Sequence, residues 1–145
     1  MTGRYRDAIK YANKIINGMN DDYRHDIKAI SYLITLILQF ELRGPGHLDF
    51  IIKSSEKFLK KNKRLDQFEK TIITFFKKAD KKYAFDQVPK KEFGVLVEKL
   101  NEIIQNNLDV YSTNKYYKFN LWAESRYTGV DQVSLNKKAP VHLEI

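Results

Sequence analysis

The chain has 145 residues, of which 43% are hydrophobic and 30% are charged. This length and composition suit one globular domain with a hydrophobic core and exclude an intrinsically disordered chain. It contains no Cys, which excludes a disulfide framework, thiolate zinc sites and cysteine nucleophiles. The absence of Cys also fits a reducing compartment, so we expect a cytoplasmic location. The formal net charge is +8, and with only six Gly and three Pro the sequence favours long helices over many short strands.

The positive charge is concentrated in the middle third of the chain. Residues 53–91 carry 13 basic and 5 acidic side chains, whereas residues 1–52 carry 7 and 6 and residues 92–145 carry 6 and 7. This uneven distribution is the most distinctive physical feature that the sequence predicts for the surface.

Two helices are predicted in the first third. The first, at 4–18, has apolar residues at the i, i+3, i+4, i+7 spacing of one helical face. The second, at 23–43, is apolar on most sides, which is typical of a helix packed between neighbours. Its longest apolar-rich stretch, 29–40, has twelve residues and is too short to span a bilayer.

Two further helices are predicted after a break at 43–47. The third, at 48–62, is followed by the polar connection KKNKR at 60–64. The fourth, at 65–82, has an apolar stripe of its own. The stripe of the third helix contains Leu48, Phe50, Ile51, Ile52, Phe58 and Leu59.

The last third contains two more predicted helices. The fifth, at 89–107, begins at Pro89, whose missing N–H costs nothing in a first turn. The sixth lies within 113–127. The tail from Gly129 has weak periodicity, and we expect it to wrap the surface or to be loose.

These elements predict an all-α fold of about six antiparallel helices. No sheet is expected, because the alternating stretch VHLEI at 141–145 is too short to support one. We expect a single helical domain at 1–128 and a C-terminal tail at 129–145.

The stretch GRYRDAIKYANKII at residues 3–16 carries a motif. Gly3 is followed two residues later by the aromatic Tyr5. The small residue Ala8 and then Ile9 come three and four residues after that ring. Glycine allows a tight turn, an aromatic ring fills the gap between two helices, and alanine lets helices approach closely. This stretch resembles the second helix of a tetratricopeptide repeat.

A second stretch has the same spacing, with Gly46, Leu48 and Ile51 in the corresponding positions. The two motif glycines are 43 residues apart, against about 34 residues in a tetratricopeptide repeat and about 40–47 in other helical-hairpin repeats, so both kinds of repeat stay open. The resemblance covers residues 3–17 and, more loosely, residues 24–62. The second half of the chain is similar to C-terminal segments of uncharacterised bacterial repeat proteins.

The resemblance implies an α-α superhelix of tetratricopeptide-like hairpins that holds other proteins. The first predicted helix would be the second half of a hairpin, so we expect the chain to be a fragment of a longer repeat array. The apolar face of residues 5–19 would then lack full cover, and we expect self-association through this N-terminal helix or packing of the tail on it.

No catalytic or ligand-binding constellation is visible. The three histidines, His25, His47 and His142, have no second His three or four residues away that would form a helical metal site. The glycines at 44–46 lack the Lys-Ser/Thr of a phosphate-binding loop. The carboxylates show no pair suited to acid–base chemistry. We therefore expect no enzyme activity and no catalytic, metal or cofactor site.

The aromatic stretch YYKFNLW at 116–122 offers three alternatives. Tyr116, Phe119 and Trp122 stand at i, i+3 and i+6, with lysines between and before them. They can form the buried face of the sixth helix, line a groove for a partner, or stack on the bases of single-stranded nucleic acid. A buried face is the interpretation we favour.

Two basic clusters are the candidate partner-binding residues. They comprise Lys60, Lys61, Lys63, Arg64, Lys77, Lys78, Lys81 and Lys82. The clusters lie at opposite ends of the fourth predicted helix, near helix C-termini, where the helix dipole also favours cations. They can form a solvated face, contact an acidic protein or contact nucleic acid. The carboxylates interleaved with them argue against a tight phosphate track; these are Glu56, Asp66, Glu69, Asp80 and Asp86.

The sequence therefore predicts a protein–protein interaction or scaffolding module with a protein partner. The alternative is a basic helical domain that associates with nucleic acid, whose binding would weaken steeply as the salt concentration rises. Nucleic acid is the less favoured partner, and no membrane contact is expected.

Overall fold

A computed structural model describes residues 2–18, 25–84, 87–106 and 117–130. These ranges contain the helices α1 (Thr2–Gly18), α2 (His25–Arg43), α3 (Asp49–Lys61), α4 (Gln67–Lys82), α5 (Lys90–Asn106) and α6 (Phe119–Thr128). No strand occurs in the described ranges. The predicted all-α fold is therefore confirmed.

The helix bounds follow the sequence pattern closely. The first five helices begin and end within two residues of the predicted positions. The sixth begins at Phe119, and the predicted part at 113–116 lies outside the described residues. It ends where Gly129, with φ of +79°, donates its N–H to the Ser125 carbonyl at 2.8 Å. The predicted tail beyond residue 130 also lies outside the described residues.

The chain divides into two compact units, Met1–Val88 and Pro89–Ile145. The first unit contains α1 to α4, and the second contains α5 and α6. The single domain at 1–128 stays a prediction.

Helix α2 is the centre of the first unit, where it contacts α1, α3 and α4. Leu33 and Leu36 are completely buried. The Tyr32 ring lies 5.0 Å from the Phe58 ring of α3. Phe40 meets Phe76 of α4 edge-on at 5.7 Å. The prediction that an all-round apolar helix packs between neighbours is therefore confirmed.

The connection between α2 and α3 is held by a side chain from α4. Gly44 ends α2 with φ of +75° and donates its N–H to the Phe40 carbonyl at 2.7 Å. Gly46 has φ of +95°, a conformation that L-residues rarely adopt. The N–H groups of Gly46 and Leu48 both donate to Oδ1 of Asp80, at 2.6 and 3.0 Å. Asp80 therefore ties α4 to the residues that begin α3.

The second unit is a pair of closely packed helices. Phe93 of α5 meets Trp122 of α6 edge-on, with ring centroids 5.7 Å apart. A Cβ built on Gly94 would lie 2.9 Å from Cε1 of Tyr127, so the ring occupies the space of the absent side chain. Phe119 and Trp122 are 1% and 5% exposed. The interpretation of these two residues as core is confirmed, while Tyr116 lies outside the described residues.

Phe50 is the one large residue of the predicted α3 stripe that the structure moves to the surface. Its exposed fraction is 83%, whereas Ile52 and Leu59 are buried. Two helical turns separate Phe50 from Lys57, so the two residues lie on the same side of α3, opposite its buried face. The inclusion of Phe50 in the apolar stripe of the third helix is therefore wrong, because helical phase outweighs hydrophobicity at this position.

Candidate interaction surface

The residues of the first repeat-like motif lie along α1. Gly3 lies within α1, which begins at Thr2, so the predicted role of Gly3 as the turn before this helix is wrong. Ala8 and Ile9 are half-buried. The side chain of Tyr5 lies outside the described part of the chain. Helix α1 packs on α2, with Ala12 buried at 6% exposure. A small residue at this position lets the two helices approach closely.

The second motif lies at the start of α3. Gly46 forms the turn before the helix, Leu48 is completely buried, and Ile51 is half-buried. These positions suit the roles of turn and gap filler that the resemblance assigns to the first two residues. The assignment to a repeat family stays a prediction.

The outward side of α1 carries an exposed aromatic ring. Tyr11 is 70% exposed. A surface depression of about 390 Å³ lies beside it, and Asp7, Lys10 and Lys14 also line it. Self-association through this helix stays a prediction.

The two predicted basic clusters are on the surface of the α3–α4 hairpin. The side chains of both clusters are exposed except that of Arg64, which is half-buried. The first cluster surrounds the turn after α3, where Lys63 has a positive φ of 56°. The second cluster occupies the last turns of α4.

A salt bridge joins the two helices between the clusters. Nζ of Lys77 lies 2.7 Å from Oε2 of Glu56 on α3. Residues three, four or seven apart on a helix share a side, so the lysines at these distances from the salt bridge surround it. We call this set the lysine face; it comprises Lys53, Lys60, Lys70, Lys77 and Lys81. The salt bridge thus links Lys77 of the second cluster to α3, the helix that also carries Lys60 of the first cluster.

Few carboxylates reach the lysine face. Asp80 accepts hydrogen bonds from the backbone before α3, and Glu69 is only 5% exposed. Helix α4, every residue of which the structure describes, has five exposed lysines and no exposed carboxylate. The surface is therefore more basic than the count of interleaved carboxylates predicts, while Asp86 lies outside the described residues.

Phe50 adds an apolar group beside these charges. It precedes Lys53 by one helical turn and is the most exposed large hydrophobic residue that the structure describes. Sequence reasoning missed it as a surface residue. The signal that could have found it is the phase of α3, in which Phe50 shares a side with Lys57 rather than with Leu59.

The predicted absence of a metal site stays a prediction, because the structure describes only some of the candidate ligands. His47 is exposed in the connection before α3, whereas the side chain of His25 and all of His142 lie outside the described residues. No cluster of three or more His, Asp or Glu side chains suited to a metal ion occurs within the ranges that the structure describes. No helix in those ranges has both the length and the apolar character needed to cross a membrane.

Comparison of the chain with protein-family models, with curated proteins and with solved structures finds no match. The function is therefore inferred from the surface of the described residues.

Proposed function

We propose that this protein is a protein-interaction or scaffolding module that binds its partner through the lysine face and Phe50. The observation that carries this proposal is the 83% exposure of Phe50 beside a row of lysines. An exposed aromatic ring next to cations is the combination that protein interfaces use as an anchor with an electrostatically guided approach. The resemblance of residues 3–17 to a tetratricopeptide helix supports the same class of function.

A second candidate is association with nucleic acid. The five exposed lysines of α4, with no exposed carboxylate among them, favour it. The carboxylates of Asp49 and Glu56 disfavour it, because both are paired with lysines within the same surface. A phosphate backbone crossing this surface would have to pass these two negative charges, whereas a protein can place its own groups between them.

The test is capture of partners by the full chain from its native cells. The variant Lys60→Glu/Lys70→Glu/Lys81→Glu reverses charge on the lysine face. The matched control Lys90→Glu/Lys91→Glu/Lys99→Glu makes the same change in net charge at exposed positions of α5. We expect the wild type and the control to capture proteins that the first variant does not capture. Direct binding of each of these proteins, once purified, to the wild-type chain then confirms the contact.

Two results would contradict the proposal. One is a set of captured proteins that is identical for all three chains. The other is capture that disappears after nuclease treatment, which would favour the second candidate.

A further inference from the structure

We infer that the partner element that docks on the lysine face is an acidic segment carrying an apolar side chain, which contacts Phe50. This inference rests on the proposed function and specifies the chemistry of its partner. It follows from three observations on the surface of the α3–α4 hairpin.

The first observation concerns the lysines of this surface that already form salt bridges with carboxylates. Lys53 pairs with Asp49 at 3.1 Å, and Lys77 pairs with Glu56 at 2.7 Å. The salt bridges that the structure shows within its described ranges thus involve two members of the lysine face. The remaining members, Lys60, Lys70 and Lys81, supply three positive charges to a partner.

The second observation is the spacing of these charges. Lys60 lies one turn beyond Glu56 on α3, and Lys81 lies one turn beyond Lys77 on α4. Because the helices are antiparallel, these two lysines lie on opposite sides of the Glu56–Lys77 bridge. Lys70 lies two turns before Lys77, on the same side of the bridge as Lys60. The charges are therefore separate points, which carboxylates at intervals along a segment can match.

The third observation is the position of Phe50. It lies one turn before Lys53, at the end of α3 that is level with Lys81. An apolar side chain of the partner that covers this ring removes it from water, which supplies binding free energy that does not depend on salt. A partner that offered only charged groups would leave the Phe50 ring exposed to water. The lysines and the ring together therefore specify a segment that is both acidic and apolar.

The experiment uses the full chain and a fluorescent peptide of about 15 residues, long enough to begin forming a helix, built from Glu and Ala with two Leu. We expect binding that rises with falling salt concentration. The same peptide with Gln in place of Glu should not bind. The same peptide with Ser in place of Leu should bind more weakly.

The protein variants locate the site. Lys60→Glu/Lys70→Glu/Lys81→Glu should weaken binding of the acidic peptide by at least about tenfold, since each exposed pair contributes a few-fold. Phe50→Ala should weaken it by about threefold to tenfold. Tyr11→Ala, at another exposed aromatic residue, should leave the affinity within about twofold, as should the α5 charge-reversal control.

A neutral variant guards against loss of folding. If the charge-reversed chain loses its helical circular dichroism, Lys60→Gln/Lys70→Gln/Lys81→Gln replaces it, and a loss of at least about threefold is then expected. An affinity that this variant leaves unchanged would overturn the inference.

A single-stranded oligonucleotide of about 16 nucleotides distinguishes the competing class of partner. If it binds more tightly than the acidic peptide and displaces it, both the inference and the proposed function are wrong. If capture yields a protein that depends on the lysine face but the acidic peptide does not bind, the inference alone is wrong. The inference would also be overturned if the acidic peptide bound the wild type and all the charge variants with the same affinity.

Discussion

Lys63 adopts a backbone conformation that a lysine rarely takes. Its φ is +56°, in the turn that follows α3. The turn closes with hydrogen bonds from the N–H of Lys63 to the Lys60 carbonyl at 3.2 Å and from the N–H of Arg64 to the Leu59 carbonyl at 2.8 Å. Helices commonly end with a glycine in this conformation, because it has no Cβ to clash.

We therefore expect Lys63→Gly to stabilise the chain. An L-residue in this conformation costs about 1–2 kcal/mol, and glycine removes this strain. The greater entropy of glycine in the unfolded chain offsets part of the stabilisation, so the net increase in unfolding free energy should be about 0.5–1 kcal/mol. Urea denaturation followed by far-UV circular dichroism measures it. Lys61→Gly, within α3, is the control and should destabilise the chain; equal effects of the two substitutions would contradict the argument.

Asp80 is the residue whose loss should affect the connection between α2 and α3 most. Asp80→Ala removes the acceptor for the N–H groups of Gly46 and Leu48, and we expect the unfolding free energy to fall by about 2–3 kcal/mol. Asp80→Asn retains a carbonyl oxygen and should cost about half as much. Chemical denaturation measures both variants.

Asp49→Asn is the control for Asp80. Its carboxylate forms an exposed i, i+4 pair with Lys53, so its removal should change the unfolding free energy by less than about 0.5 kcal/mol. A similar cost at both positions would show that the hydrogen bonds of Asp80 to the backbone contribute no more than a surface ion pair.

At this scale the sequence predicts few of the important contacts. Asp80 looks like one of several carboxylates among lysines, because its two donors are 34 and 32 residues away in the chain. Nothing local marks it as different from Asp66, which immediately precedes α4 and is exposed. Only the packing of α4 against the connection gives the two carboxylates different roles.

At the scale of elements, the contact between α5 and α6 depends on the absence of a side chain at Gly94. The nearest ring atom of Tyr127 lies 2.9 Å from the place of a Cβ at Gly94. Alanine there gains about 1 kcal/mol of helix propensity but must displace the ring. Which effect is larger depends on Tyr127, which is 48% exposed and can move at some cost.

A double-mutant cycle separates these effects. We expect Gly94→Ala to stabilise the chain by about 1 kcal/mol when Tyr127 is also replaced by Ala, and to stabilise it less or to destabilise it when Tyr127 is present. The fluorescence of Trp122, the only Trp in the chain, reports unfolding of α6 during urea titration. Additive effects of the two substitutions would show that the ring and the glycine do not constrain each other.

The elements themselves were largely predictable. Apolar spacing located the first five helices to within two residues, because a helix that packs on one side must place its apolar groups on that side. The phase of α3 was misjudged at Phe50, since hydrophobicity alone does not distinguish a buried ring from an exposed binding residue. The predicted core role of Phe119 and Trp122 was right.

At the scale of the whole molecule, the net charge of +8 should make stability depend on salt. Exposed lysines on the same helix, such as Lys57 and Lys60 one turn apart on α3, repel one another at distances below about 10 Å. The Debye length falls to about 10 Å at 0.1 M salt, so added salt weakens this repulsion. We expect the unfolding free energy to rise by about 0.5–1 kcal/mol between about 0.01 and 0.15 M NaCl, as measured by urea denaturation.

The charge variants identify the origin of this dependence. Lys60→Glu/Lys70→Glu/Lys81→Glu should reduce the rise with salt, because it replaces repulsion within the lysine face by attraction. The α5 charge-reversal control alters net charge equally and should retain more of the rise. Identical salt dependence in both variants would assign the effect to net charge rather than to the lysine face.

The sequence by itself determined that the chain is helical, where the first five helices lie and that the positive charge is concentrated at 53–91. These properties follow from composition and short-range periodicity, which act within one or two helical turns. The tertiary structure decided that Lys77 pairs with Glu56 across the α3–α4 hairpin, that Asp80 accepts hydrogen bonds from the backbone before α3, and that Glu69 is buried. Each of these features depends on contacts between residues that are distant in the chain, or on which side of a helix the neighbouring helices cover. Local spacing in the sequence encodes neither the contacts nor the covered side.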